Sequence, residues 1–166
     1  NSIVRYVNKM EFDMVIIGTT GATGLKDVFM GSTASSIIDK IKIPILAVPL
    51  DSSFQDIDTV LMACSVDSIK SVDSINFLKL FATNLSLKVR FFNVLKKEDE
   101  EYDEKLAKKK ESLKIIFDSF EYEIDMIKSN DIEDAVLNAV GENQLLSVVT
   151  RERSFFDKMF HPSMSK

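Results

Sequence analysis

The 166-residue chain is 45% apolar and 28% charged, and its 26 acidic residues against 21 Lys and Arg leave a net charge of −5. That length can bury the core of one domain or somewhat more, and the acidic balance argues against a general nucleic-acid or membrane-surface binder, which needs clustered cations. One cysteine, Cys64, and one histidine, His161, allow no internal disulfide and argue against a four-ligand zinc site or a Cys- or Ser-centred triad. No apolar run reaches the ~18 residues of a membrane span and no signal-peptide pattern opens the chain, so a cytoplasmic location is expected.

In chain order, Ile3, Val4, Val7 and Met10 fall at helical spacing, and Asp13 to Ile17 then reads as a short buried strand. A glycine-rich segment, Gly18 to Gly31, leads into Ser32 to Ile41, which opens on hydroxyl residues and continues as a capped helix. Ile43 to Val48 reads as a second buried strand bracketed by Pro44 and Pro49. From Asp58 the pattern predicts strand Thr59–Cys64, helix Val72–Asn84, strand Lys88–Leu95 and a charged helix from Glu98 to Phe120. Strand Glu123–Ile127, helix Ile132–Val140, strand Leu145–Thr150 and a helix opening at Phe155 follow. Strands alternating with helices at this spacing define an α/β fold with a parallel sheet covered on both faces. The lysines at 105, 108, 109 and 110 are balanced by acids from Glu98 to Glu104 and read as a solvated face. Scattered methionines, among them Met10, Met14, Met62 and Met126, and Phe91, Phe92, Phe117 and Phe120 read as core, and so does Cys64.

The pattern of helix Ile3–Met10 plus strand Asp13–Gly18 returns 132 residues later as Ala135–Glu142 plus Leu145–Thr150. On that repeat, residues 1–50 are the last part of a first domain and residues 57–166 most of a second, lacking its last strand. The first domain is expected to start roughly 75 residues before Asn1, which makes the chain a piece of a longer tandem protein.

Four of the five glycines, Gly18, Gly21, Gly24 and Gly31, lie within fourteen residues between a strand end and a helix start. The carboxyl end of a parallel strand is where open α/β sheets bind ligands. Glycine lets the backbone approach closely, and the N–H groups at a helix start favour an anion, so the segment reads as a phosphate cradle. Ser32 and Thr33 either cap the helix or donate to phosphate oxygens. The alternative is that the glycines only shape a tight loop. Neither G-x-x-x-x-G-K-[ST] nor G-x-G-x-x-G is present. The spacing is G-x2-G-x9-G-S, and at Gly18, Gly21, Gly31 and Ser32, within VIIGTTGATGLKDVFMGSTASSIIDKIKIPILAVP, it resembles the ATP-binding signature of the universal stress protein family.

That resemblance implies an open five-stranded parallel sheet with helices on both faces, Rossmann-like and of the adenine nucleotide alpha hydrolase-like kind. It implies ATP or another adenine nucleotide, with or without Mg, bound in the first domain. Ile17 would lie by the base, Gly18 near the ribose and α-phosphate, and Gly21, Gly31 and Ser32 on the phosphates, with Thr19 and Thr33 completing the set. It also implies a homodimer or a tandem pairing of domains. The family places an Asp at the end of its first strand against the nucleoside. In the second domain that place falls on Ser65, with Asp67 two residues late. The second glycine loop reads TRERSFFDKMFHPS, with Thr150, Arg153 and Pro162 in place of glycines, Ser163 retained and Phe155 and Phe156 filling space. The second domain is therefore expected not to hold ATP in the family's manner, and Arg151 and Arg153 read as solvated.

The expected function is a nucleotide-binding regulatory module of the stress response, the alternative being an interaction or scaffold module that keeps the fold without the ligand. An enzyme is not expected beyond slow ATP hydrolysis: Asp27 is a carboxylate in the loop, but no general base or second motif accompanies it.

Overall fold

The computed structural model describes residues 2–19, 37–38, 40–49, 52–53, 57–63, 72–95, 103–104, 107–108, 110–111, 114 and 120–148. These fall into two compact units, one within residues 1–53 and one within 54–151.

In the first unit, helix α1 (Ser2–Lys9) carries Val4 and Val7 on one side. Val7 is buried with Ile37 and Ile41, and Val4, Val15, Ile43 and Ile45 pack around them. This is the inner stripe that a surface helix needs to hold it on a core. Strand β1 (Val15–Gly18) pairs in parallel with β2 (Ile45–Val48), with Val15 opposite Ile45 and Gly18 opposite Val48. Ile37 and Ile38, in the connection between the two strands, are helical, and parallel strands require such a crossover. The apolar run of β1 does not make it a fully buried strand, because successive side chains point to opposite faces. Val15 faces the cluster, whereas Ile16 is 63% exposed. β2 is half-buried throughout. Met10, expected in the core, is 47% exposed.

In the second unit, β3 (Thr59–Ala63), α2 (Val72–Asn84), β4 (Lys88–Leu95), β5 (Tyr122–Lys128), α3 (Ile132–Ala139) and β6 (Gln144–Val148) follow in order. The described residues between 103 and 114 are helical. Within that helix Lys108 donates to Glu104 over 2.6 Å. This bond holds the Glu104 carboxyl below its usual range, as befits a solvated helical i,i+4 pair. The four strands are all parallel in the order β5-β4-β3-β6. No described residue of β3 is exposed, as expected of a central parallel strand. Val60, Met62, Val89 and Phe91 form one face and pack with Ile75, Leu78 and Ala82 of α2. By alternation Arg90 points to the other face. It pairs with Asp125 of β5 and donates to the carbonyl of Ala139, the last residue of α3. Helices thus cover both faces. Among the described residues the strands form a parallel sheet of four and a parallel pair, in keeping with the expected α/β class.

The helix–strand pair α1–β1 recurs as α3–β6, the helices starting 130 residues apart and the strands 129, slightly closer than the 132 read from the pattern. Asp131 caps α3 by accepting from the N–H of Asp134 over 3.0 Å.

α2 stops in a Schellman turn: the Leu87 N–H donates to the Ala82 carbonyl over 2.9 Å and the Ser86 N–H to Thr83 over 3.2 Å. Ser86 takes φ 55, where a side chain is strained and glycine is not. Ser86→Gly is expected to stabilise the protein by about 0.5–1 kcal/mol. Urea unfolding followed by circular dichroism checks this, as a higher midpoint with an unchanged slope.

Candidate functional site

Gly18 ends β1 opposite Val48, and the ladder runs one step further, with the Thr19 N–H donating to the Val48 carbonyl over 2.9 Å. The Val15 N–H likewise donates to Pro44 over 2.9 Å. In a parallel ladder alternate residues turn their N–H groups to the same neighbour. Residues 15, 17 and 19 therefore face β2, and the N–H groups of Ile16 and Gly18 face the opposite edge. The Thr19 main chain is held by the sheet and its side chain is buried at 5% exposure, so its N–H is not a free donor. Ile17 is half-buried opposite Ala47.

A Cβ added at Gly18 would meet no atom of the described residues within 4 Å, and the backbone there lies outside the left-handed region. Among the described residues neither packing nor backbone strain demands a glycine at this position. A glycine inside a strand costs roughly 0.5–1 kcal/mol relative to alanine, so the bare position leaves space above the strand end at a measurable cost in stability. The described residues around it, Ile17, Thr19, Ala47, Val48 and Pro49, carry no charge. To an anion these described residues offer main-chain dipoles and no ion pair.

The structure brings Ile17, Gly18 and Thr19 together; Gly21, Gly31, Ser32 and Thr33 lie outside the described residues, as do Gly24, Asp27, Cys64, Ser65, Asp67, Arg151, Arg153 and His161. Among the described residues no three His, Cys, Asp or Glu side chains gather as a metal site, and no helix is long and apolar enough to cross a membrane. Two shallow grooves occur elsewhere, one along Ser2, Ile3, Arg5, Tyr6 and Lys9 and one between Lys110, Glu111, Lys114 and β5. Neither includes a residue of the β1 carboxyl end.

One buried polar residue escaped the sequence reading. Asn93 is 3% exposed, and among the described residues its side-chain amide nitrogen has no hydrogen-bond partner. It sits on the face of β4 that carries Val89 and Phe91, nearer the carboxyl end. The signal available was a single amide inside the run FFNVL, which apolar periodicity passes over as strand interior.

A parallel α/β architecture with a bare glycine at a strand's carboxyl end defines the class of protein. The comparisons narrow it. Residues 1–49 match the model of the universal stress protein family. Over 48 residues the chain is 40% identical to a universal stress protein of Methanocaldococcus jannaschii, a stretch that makes up 29% of this chain and 28% of that protein. The chain thus covers little more than a quarter of that relative's length. The resemblance drawn from Gly18, Gly21, Gly31 and Ser32 is borne out as a similarity over this short segment, and the α/β fold agrees with it.

Gly18→Val tests the reading that the space above the strand end is open. Because no described atom opposes the new side chain and β-branched residues suit strands, the melting temperature is expected to hold or rise slightly. A fall of several degrees would show the position to be packed.

Proposed function

We propose that the carboxyl end of β1 and the glycine segment that follows seat the phosphates of an adenine nucleotide, ATP with or without Mg, and that the protein is a nucleotide-binding regulatory module of the stress response. The observation that carries this reading is Gly18, a residue without a side chain at the end of a parallel strand, where an added Cβ would meet no atom of the described residues within 4 Å. Its N–H points away from β2, and among the described residues no acceptor takes it. The residues present fit the ligand: main-chain groups beside an uncharged strand end suit a phosphate approached closely, with Ile17 offering an apolar surface toward a base. In this reading Gly21, Gly31 and Ser32 supply further donors, and Thr33 either caps the following helix or joins them. ATP supplies the charge and the occupancy signal; the chain's own groups bind it and orient it.

The name of the archaeal relative states membership of the family and no ligand, so the nucleotide is a proposal from this chain's residues. A cytoplasmic location and homodimeric or tandem pairing of domains belong to the same proposal. The second loop, with Thr150, Arg153 and Pro162 where glycines are expected, supports a scaffold role for the second domain and a ligand in the first alone. Asp27 is the carboxylate of the loop and no second motif accompanies it, so binding, with at most slow hydrolysis, is the proposed activity.

Two measurements decide between a ligand module and an empty scaffold. Denaturing the purified protein is expected to release adenine nucleotide detectable by chromatography. Gly31→Val is expected to weaken ATP binding at least about tenfold, a loss of roughly 1.4 kcal/mol or more, with the far-ultraviolet circular dichroism unchanged. Equal ATP affinity of the two proteins by calorimetry would reject the cradle. Phosphate release at enzymatic rates would replace binding by catalysis.

A further inference from the structure

We infer that the outer face of α1 docks an acidic amphipathic helix of a partner protein. Val4 and Val7 turn inward to the core, yet the helix carries a second apolar stripe. Ile3, Tyr6 and Met10 fall three and four residues apart, on one side, and are 45%, 59% and 47% exposed. The Met10 N–H donates to the Tyr6 carbonyl over 3.2 Å, which carries the helical turn on to Met10. Phe12, 40% exposed, sets its ring 5.9 Å from that of Tyr6 and extends the patch. A shallow groove crosses this face between Ile3, Tyr6 and the stems of Arg5 and Lys9. Apolar side chains gathered at the surface in this way mark an interaction site, whereas single ones do not.

The recurring helix supplies the comparison. At the 132-residue spacing of the sequence pattern, Ser2 and Tyr6 correspond to Asp134 and Asn138 of α3. Those two are exposed, in a unit whose sheet has four strands, and Asn138 donates to Asp134 over 2.8 Å. This side of the helix is therefore surface, polar on α3 and apolar on α1. Charge selects the occupant. Arg5 and Lys9, one turn apart and both exposed, border the stripe, and α1 carries no acid. No ion pair among the described residues involves either cation. In a chain of net charge −5, they form a local cationic rim beside an apolar centre. Its complement is a helix with large apolar residues three and four apart and Asp or Glu alongside, whose ridges fit between side chains spaced as on α1. A second copy meeting this face with its own would set Arg5 and Lys9 against the same cations. Two cations are too few for an anionic membrane surface, which takes clusters of about four to eight.

Titration of the isotopically labelled 166-residue chain, without nucleotide, with a synthetic helix of leucine, alanine and glutamate at that spacing tests this. Saturable amide shifts are expected at Ile3, Arg5, Tyr6, Lys9 and Phe12, and affinity is expected to fall severalfold as salt rises from about 0.05 M to about 0.5 M. Arg5→Glu with Lys9→Glu is expected to weaken binding about tenfold, with unchanged far-ultraviolet circular dichroism, and to favour the same peptide carrying lysine for glutamate. Tyr6→Gln, which keeps both charges, is expected to weaken it by a similar factor. The inference is overturned if shifts at α1 are absent at millimolar peptide, if the lysine peptide binds the unaltered chain as tightly, or if reversing the two charges changes nothing. Phosphatidylglycerol vesicles that bind through these residues more tightly than the peptide would give the face to a membrane and overturn it. A dimer mass by light scattering, with α1 shifts that grow with protein concentration, would give it to a second copy and equally overturn it. Because no nucleotide is present, the outcome is independent of the binding reading.

Discussion

Two parallel strands can be joined only by a connection that returns across a face of the sheet, and each such return brings a loop to the carboxyl ends of the strands. Every strand pairing described in this protein is parallel. The second unit shows the consequence: β3 lies between β4 and β6, α2 packs on the Val60 and Phe91 face, and α3 is tied to the opposite face through Arg90. Strand order runs outward from β3 to β5 and then reverses to β6. That reversal opens a crevice at the carboxyl ends in sheets of this kind. In the first unit the same rule puts the end of β1, and with it Gly18, where a ligand can reach main-chain atoms.

Among the described residues, what distinguishes that position is the lack of a side chain at Gly18 and of charge around it. An anion held by Lys or Arg pays to order long side chains, whereas strand-end and helix-start amides are already fixed by the fold. On the proposed reading the acidic composition is no obstacle, because the attraction would be local and dipolar. The cost falls on the strand: Gly18 pairs with Val48 although glycine is a weak strand former.

Much of the fold was legible because local patterns and tertiary pairing agree. The bounds of α2 and β4 fall where the sequence put them, at Val72–Asn84 and Lys88–Leu95. Both are long, and the Leu85–Ser86 turn separates them clearly. The bounds of β1 shifted from Asp13–Ile17 to Val15–Gly18, since its length is set by its register with Ile45–Val48, which no local window contains. The exposure of Ile16 and Met10 was illegible for a related reason: an apolar residue reports that it can be buried, not that a neighbour is there to bury it. The Arg90–Asp125 pair joins residues 35 apart in sequence, and Asn93 hides inside an apolar run. At the site, glycine spacing was readable; the orientation of the Gly18 and Thr19 N–H groups was not, because parity in a parallel ladder depends on the partner strand.

Titration of isotopically labelled protein with Mg-ATP, followed residue by residue in amide nuclear magnetic resonance spectra, tests most directly whether the end of β1 is a nucleotide seat. Saturable shifts are expected at Gly18 and in the glycine segment after it, with β4 and β5 unmoved. Spectra that do not change at millimolar nucleotide, or shifts confined to the second unit, would contradict it.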